Sequence, residues 1–519
     1  MLPPTYQPNG LETNFQPNLY DPSKPSSDAC NGLLIVPGKD PCGDANKQFG
    51  TNFSHGVAGP NKYLVHTNNH LIAPRVGLAY DLHGDGRTAI RIGYGIFYQR
   101  ERVSRYTLVA NAPFAITASN FSRPLGGATP ASLGAGQASP AGGYDTSNTL
   151  PMSMQWNLTV EQAMAKNTVL QVSYVGNRGE HLTSSYDVNS ILPQNWGAST
   201  FVPSGQVNSL RPYSNFGSLA FWTHNGDSYY HGLQTLFRTQ VGQFRLQAAY
   251  TWSHAIADIV TDDSSGGTGN QSFTVASDPK LDRGNTSTNR PNIFVANGTY
   301  LLPSLRGSNF VMEQALGGWE LTGITTADSG NSFTIFQNGV SDNSANLVAG
   351  TTGTVSSLFQ TGLVSNQRPL LGSGTSCNSG PGIKGNQIIS PSAFTLIGYH
   401  LGTFEPGMAP RGACHGPKLV NTDFSLDKNW KIIHERANIQ FRFDAFDLFN
   451  HANFRPDQGN FTAINNINCG SVDGAGKYQP CSATNNIVTA QTRNSSFGQS
   501  TGLVGNAQRQ FQYGLHITF

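Results

Sequence analysis

Apolar residues recur at every second position through a long series of segments, and this pattern constrains the chain more than any other feature. From Pro74 to Asp81, Val76, Leu78 and Tyr80 alternate with Arg75, Gly77, Ala79 and Asp81. A Gly/Asp turn follows at His83-Gly84-Asp85-Gly86, and then Ile90, Ile92, Tyr94, Ile96 and Tyr98 alternate with Arg91, Gly93, Gly95 and Phe97. Alternation at period two around turn residues reads as a β-hairpin. The motif returns around Trp156, Leu158 and Val160, then Leu170, Val172 and Tyr174, then Leu233 to Phe237, and Phe244 to Trp252. It continues less cleanly at Phe294 to Leu302 and Trp319 to Ala327, then at Phe424 and Leu426, Ile439 to Phe443, and Phe511 to Phe519. Each run is roughly ten residues, the length with which a tilted strand crosses a bilayer.

The connections sort into two kinds that alternate without a break. Those near 82–87, 164–167, 240–243 and 431–435 are tight, and that near 303–317 is moderate. Those at 99–152, 179–227, 257–288, 331–417 and 450–507 are long and rich in Gly, Ser, Asn and Pro. A soluble sandwich has no reason to sort its loops this way, whereas an outer-membrane barrel has short periplasmic turns and long extracellular loops. The fold class read from the chain is all-β, an antiparallel transmembrane β-barrel with about eleven strands in residues 73–519. Composition agrees. Charged residues make up only 12% of the chain, against roughly 25% in soluble domains. Its 58 glycines and abundant Asn, Gln, Ser and Thr suit strands with one apolar face and one wet, neutral face. The formal net charge is +2 with no long basic stretch, so nucleic acid is not expected as a partner. No run of about 18 apolar residues marks a transmembrane helix, which leaves barrel strands untouched.

With tight turns in the periplasm, the last strand runs toward the periplasm, and so does the first clear one at Pro74 to Asp81. Residues 1–72, with Pro3, Pro4, Pro8 and Pro17, are then mostly an extracellular loop segment. An even strand number is the rule for such barrels. The chain therefore reads as the C-terminal part of a larger barrel, the alternative being a weak strand hidden in 1–72. The opening MLPPTYQPNG has neither the basic nor the apolar region of a signal peptide, so a leader has been removed or the true N-terminus lies upstream.

The final strand carries a second signal. Gln512, Gly514, Ile517 and Phe519 match the C-terminal spacing by which barrel proteins are recognised by their assembly machinery. Several stretches resemble the Oar-like group of TonB-dependent outer-membrane receptors, which usually carry a carboxypeptidase-regulatory-like domain upstream. They are APRVGLAYDLHGDGRTAIRIGYGIFYQR from Ala73, MQWNLTVEQ from Met154, LQAAYTWSHAIAD from Leu246, GGWELTGITTADSGNSFTI from Gly317 and RFDAFDLFNHANF from Arg442. That resemblance implies a barrel of about 22 strands, a plug inside it and an N-terminal TonB box that engages the TonB complex. None of these N-terminal parts matches this chain. The expected function is a receptor or transporter for a bulky solute, integral to the outer membrane and in contact with its lipid. The alternative is a surface adhesion or interaction protein without transport.

Candidate sites follow from residue type and strand face. The six cysteines fall as Cys30 and Cys42, Cys377 and Cys414, Cys469 and Cys481. Each neighbouring pair lies in one loop-like region, which favours three local disulfides in an oxidising compartment. Trp156, Tyr174, Tyr250, Trp252, Trp319, Phe441 and Phe443 sit on the apolar faces, where lipid contact and interfacial girdles are the common use. Arg75, Arg91, Glu161, Arg245, Arg442 and Asp444 lie on the opposite faces as a polar lumen wall, since a charge in lipid costs about 2–4 kcal/mol at the midplane. The loops at 337–380 and 257–288, the latter with Asp258, Asp262, Asp263 and Asp278, are the expected places for ligand contact. No H-E-x-x-H or G-x-S-x-G stretch is present, so no catalytic residues, cofactor or metal are assigned. Asp81 to Gly86 lacks the full calcium-loop pattern. Gly380 to Gly385 has a Lys but no following Ser or Thr, unlike a phosphate cradle.

Overall fold

The computed structural model describes residues 9–25, 27–66, 71–99, 111, 142–147, 149–190, 202–203, 211–214, 216–217, 219–259, 279–304, 309–336, 355–356, 368–379, 383, 385–395, 408–432, 437–455, 465–467, 471–472, 478–479, 491–493, 496–505 and 508–518. The alternating segments form one large antiparallel sheet. Its strands are β1 (Arg75–Asp81), β2 (Thr88–Tyr98), β3 (Met152–Ala165), β4 (Thr168–Asp187), β5 (Ala220–Val241), β6 (Phe244–Ala257), β7 (Asn292–Leu301), β8 (Trp319–Asp328), β9 (Leu419–Ile432), β10 (Ala437–Phe446) and β11 (Gln510–Thr518). Each pairs with its neighbours in chain order, from β1 at one edge to β11 at the other. Two further short strands, Gly142–Tyr144 on β5 and Gly284–Asn285 on β6, bring the sheet to 13.

The tight turns are made by residues suited to them. Asn167 and Gly242 adopt positive φ between β3 and β4 and between β5 and β6. At the β1–β2 turn one Asp81 oxygen accepts from the Gly84 amide and the other from the Gly86 amide, at 3.0 and 2.8 Å. The Asp81 carboxylate is thus engaged by its own turn, as Asx side chains commonly are. The connection after β7 holds a short helix instead of a bare turn, as its moderate length allows.

Two boundaries differ from expectation. The loop expected at 179–227 is shorter, because β4 and β5 run 20 and 22 residues and pair out to Asp187 and Ala220 through register shifts around Gly226. Beyond the tenth or so residue these strands no longer separate an apolar medium from a wet one, so the period-two signal that marks their inner halves fades. The segment 1–72 also holds regular structure: Thr13–Phe15, Leu33–Ile35 and Val57–Ala58 form a small sheet, with helix α1 at Pro41–Phe49. Helix α2 is Phe310–Leu316, between β7 and β8.

Register puts the two faces of the large sheet into view. Ile92, Leu158, Tyr174, Leu233 and Trp252 stand in one cross-strand file, and Phe443 faces Tyr513 while Phe441 faces Leu515. Val76, Leu78, Ile92, Leu158, Tyr174, Leu233, Trp252, Tyr513 and Leu515 are all exposed. A sheet with this much exposed apolar surface on one face is not built for water on that side. The large side chains that are fully buried lie elsewhere: Phe15 in the small N-terminal sheet, and Phe216, Phe394, Phe497 and Ile335 in the long connections.

Candidate functional site: a two-faced wall under two folded loop modules

The face opposite the apolar one carries the charges. Arg91 meets Glu161 at 3.1 Å across β2 and β3, and the Thr159 and Ser173 hydroxyls bond at 2.9 Å across β3 and β4. Arg442 meets Asp444 at 2.9 Å and Asp427 at 3.8 Å, and Asp444 accepts from the Ser425 hydroxyl at 2.6 Å. Arg75 lies 4.7 Å from the Phe97 ring centre. Arg245 stands opposite Gln240 and Thr299. The sequence-derived set therefore shares one face but forms two separate charge clusters, one on β2–β3 and one on β9–β10. Glu320, opposite Asp427, and Asp427 itself belong to the second cluster. The weak alternation of β8 hides Glu320, and on β9 only Phe424 and Leu426 mark the alternation beside Asp427.

Aromatic side chains gather toward both ends of the apolar face. At the long-loop end, Tyr174 and His231 stack at 6.1 Å and bond at 2.7 Å, with Trp156 beside His231. The Trp156 indole lies over Gly176, where a Cβ would sit 2.2 Å from the ring, so only glycine admits it. At the turn end, Trp319 packs against Trp430 and Phe441 at 6.2 and 6.1 Å. The ten residue steps from Phe244 to His254 span roughly 33 Å along the strand, or about 25 Å at a tilt of about 40°, the height of a bilayer's apolar band. Lys428, on the apolar face between Leu426 and Trp430, is the exception to the pattern. It is buried, with its Nζ donating to the Gly317 carbonyl at 2.5 Å.

The first loop module packs the small sheet and α1 against the connection between β4 and β5. Cys30 and Cys42 are joined, and Phe15 meets Tyr213 and Phe216 edge-on at 5.5 and 5.8 Å. Backbone polarity in this core is satisfied by buried amides. Asn189 donates to the carbonyls of Tyr213, Phe216 and Gly217 at 3.0, 3.0 and 2.7 Å and accepts from the Tyr213 amide at 2.8 Å. Asn14 exchanges bonds with both backbone groups of Tyr144 at 3.0 and 2.7 Å, which stitches the module to β5 through Gly142–Tyr144. Gly143 is required there: a Cβ would stand 2.1 Å from the Phe15 carbonyl.

The second module is built from the connections after β6, β8 and β10. Cys377 and Cys414 are joined in a core of Ile335, Ile389, Phe394 and Phe497. Arg368 pairs with Asp282, both buried, which ties the 257–288 connection to the 331–417 one. Arg411 donates to the Ile259 carbonyl, and burial brings its guanidinium down to about 10, partly countered by Asp282. Burial raises the Asp258 carboxyl, opposed by its bond from the Asp227 amide. It lowers the His415 imidazole, helped by nearby His254. At the top of β10, Asn453 bonds both backbone groups of Val420 at 2.8 Å. Asp447 and Asn450 take positive φ in the same turn, so the stretch DLFNHANF forms the corner that leads into the module.

Cys469, Cys481, Asp262, Asp263, Asp278 and Phe519 lie outside the described residues, as do most of 337–367 and of Gly380 to Gly385. Gln512, Gly514 and Ile517 stand on β11 opposite Asp444, Arg442 and Ile439. Among the described residues, no three His, Cys, Asp or Glu side chains come together as metal ligands.

A family model described as an outer membrane beta barrel domain matches residues 1–512. No curated protein matches the sequence. Among solved structures, the chain is similar to the outer membrane transporter YddB from Escherichia coli, with 9% identity and a TM-score of 0.38 over 87% of this chain and 41% of that one. It is similar to BauA, the ferric preacinetobactin receptor from Acinetobacter baumannii, with 12% identity and a TM-score of 0.33 over 86% and 36%. For the FrpB iron transporter from Neisseria meningitidis the figures are 8%, 0.34, 86% and 39%. The chain spans less than half the length of each.

Proposed function

The chain belongs to the outer membrane beta-barrel domain family, and from that premise we propose that it forms part of the wall of a wide barrel that admits a bulky solute. The apolar face then meets outer-membrane lipid, and the charge clusters of Arg91 and Glu161 and of Arg442, Asp444 and Asp427 line the lumen, with Arg75 and Arg245. One observation carries this reading. The eleven-strand path leaves β1 and β11 as edges, each paired on one side only among the described residues. An unpaired edge in lipid leaves backbone groups unsatisfied at several kcal/mol each, so the wall is closed by further strands. Barrels wider than about 16 strands enclose a channel or a plugged lumen, whereas 8-stranded ones are filled by side chains. A wall of eleven strands that needs more is already wider than the 8-stranded barrels whose interiors are filled.

Strand direction sharpens the proposal. β1 and β11 run the same way, so antiparallel closure takes an odd number of further strands. Two copies of this sheet joined edge to edge would meet in parallel. We assign the chain to the Oar-like TonB-dependent group on the sequence stretches quoted above. In that assignment the plug and TonB box come from sequence upstream, the assembly machinery reads Gln512, Gly514, Ile517 and Phe519, and the two loop modules face the ligand. The folded modules also suit a surface-interaction protein without transport, and one test separates the two. An in-frame plug and TonB box immediately upstream of Met1, together with solute uptake that is lost when TonB is deleted, supports transport. A signal peptide and stop codon directly before Met1 overturns it.

A further inference from the structure

Helix α2 interrupts what would otherwise be a bare turn, and its two ends are treated very differently. Its N-terminus is capped locally, Asn309 accepting from the Met312 amide at 2.8 Å. Its C-terminal carbonyls have no intrahelical partners, as in any helix, and here they are taken by donors from the apolar face of the large sheet. The Trp430 indole donates to the Gln314 carbonyl at 3.0 Å and the Trp319 indole to the Ala315 carbonyl at 2.8 Å. Lys428 donates to the Gly317 carbonyl, with its ammonium 5.3 and 5.4 Å from the two indole ring centres. This explains a cation at an outward-facing position: the negative end of the helix and two π-faces hold it. The arrangement also fixes where α2 sits. It lies on the outer side of the wall, at the turn end, against β8 and β9.

On the helix, Val311, Met312, Ala315 and Leu316 fall on one side at the i, i+1, i+4, i+5 spacing of an amphipathic face. All four are exposed, Val311 at 71% and Leu316 at 57%. The helix that carries this face is held by Trp319 and Trp430, which share the outward face of the wall with Phe441 and Leu515; the inference rests on the reading above that this face meets lipid. Indoles of this kind settle at the level of the headgroups. We propose that α2 is an in-plane membrane anchor, its Val311–Met312–Ala315–Leu316 face seated in the periplasmic leaflet at the headgroup–acyl boundary. The Trp319–Lys428–Trp430 clamp holds it there.

The test uses the full-length protein recovered from outer membranes and reconstituted into phosphatidylcholine vesicles. Val311→Cys carries an environment-sensitive fluorophore, with labelling of the unsubstituted protein subtracted. Asp85→Cys, in the β1–β2 turn, serves as the aqueous reference and Leu515→Cys as the lipid reference. The expected result is blue-shifted emission at position 311, quenched several-fold more by a lipid bearing a nitroxide near its headgroup than by aqueous iodide. Iodide quenching at 311 equal to that at 85, with 515 still protected, overturns the anchor and leaves the barrel standing. Iodide quenching at both 311 and 515 overturns the barrel reading with it. Blue-shifted emission that the nitroxide lipid does not quench means a protein surface covers the helix, and that also overturns the proposal.

Discussion

The wall and the loop modules solve opposite problems with one chain. In the wall the large apolar side chains, from Val76 and Ile92 to Tyr513 and Leu515, are exposed, and the strands are joined by continuous backbone ladders. In the modules the order is reversed: Phe15, Phe216, Phe394 and Phe497 are fully buried, two disulfides close the cores, and buried Asn side chains satisfy loop backbone. The wall is stable because its backbone is paired and its outer solvent is apolar. The modules are stable for the reasons that hold for small secreted domains, where disulfides supplement a small core. A perturbation therefore separates the two according to the solvent each expects.

The largest separation is expected from Cys377→Ala with Cys414→Ala. Removing a native disulfide from a small domain costs about 2–5 kcal/mol. The second module should become sensitive to external protease while the heat-modifiable gel mobility of the wall is retained. Loss of that mobility would mean that the wall depends on the module. The converse change is Leu515→Arg, on the apolar face, expected to cost about 2–4 kcal/mol of wall stability. Arginine at His516, the neighbouring position on the polar face opposite Gln440, should be tolerated. Denaturant titration in vesicles distinguishes them, and equal effects at the two positions would remove the basis for two faces. Asn189→Ala comes next: it strips three carbonyls and one amide of a buried partner, at about 1–3 kcal/mol for a group left unsatisfied. Hydrogen exchange should quicken around Tyr213–Gly217 and leave β6–β7 unchanged.

The smallest expected effect is a pH dependence confined to the second module. The His415 imidazole is depressed in the folded protein by burial and by His254. The unfolded chain therefore binds more protons as pH falls through about 6.5, the ordinary histidine value. Module stability should fall with pH in that window, and His415→Gln should flatten the dependence. Asp258, raised by burial, acts in the other direction. The folded state holds its proton longer, so its contribution is present at low pH and fades as pH rises through its elevated value. Protease protection measured across the acidic range checks both signs.

The same contrast accounts for what could be read from the chain. Val76-Leu78-Tyr80 or Phe511-Tyr513-Leu515-Ile517 announces itself because two different media lie on the two sides of a strand, which imposes period two. The outer halves of β4 and β5 lost that signal where both sides face polar surroundings or a module. The module cores had no periodicity to detect. Phe15 meets Phe216, Asn14 meets Tyr144 and Ile335 joins Phe497 across large sequence separations, so nothing local marks them. Cysteine spacing alone pointed to the modules, through Cys30 with Cys42 and Cys377 with Cys414. Lys428 could have been singled out as a cation in an apolar row, but its carbonyl partner, Gly317, caps a helix that the sequence pattern shows only as a connection.

The central claim is that the sheet separates lipid from a wet interior, and β11 tests it most directly. Single cysteines are introduced in turn at Phe511, Tyr513, Leu515 and Ile517, and at Gln512, Gly514, His516 and Thr518. They are probed in intact outer membranes with a water-soluble thiol reagent and a nitroxide lipid. The account predicts strict alternation, with the reagent reaching only the second set and the lipid only the first. Uniform access of the soluble reagent to all eight positions would contradict it.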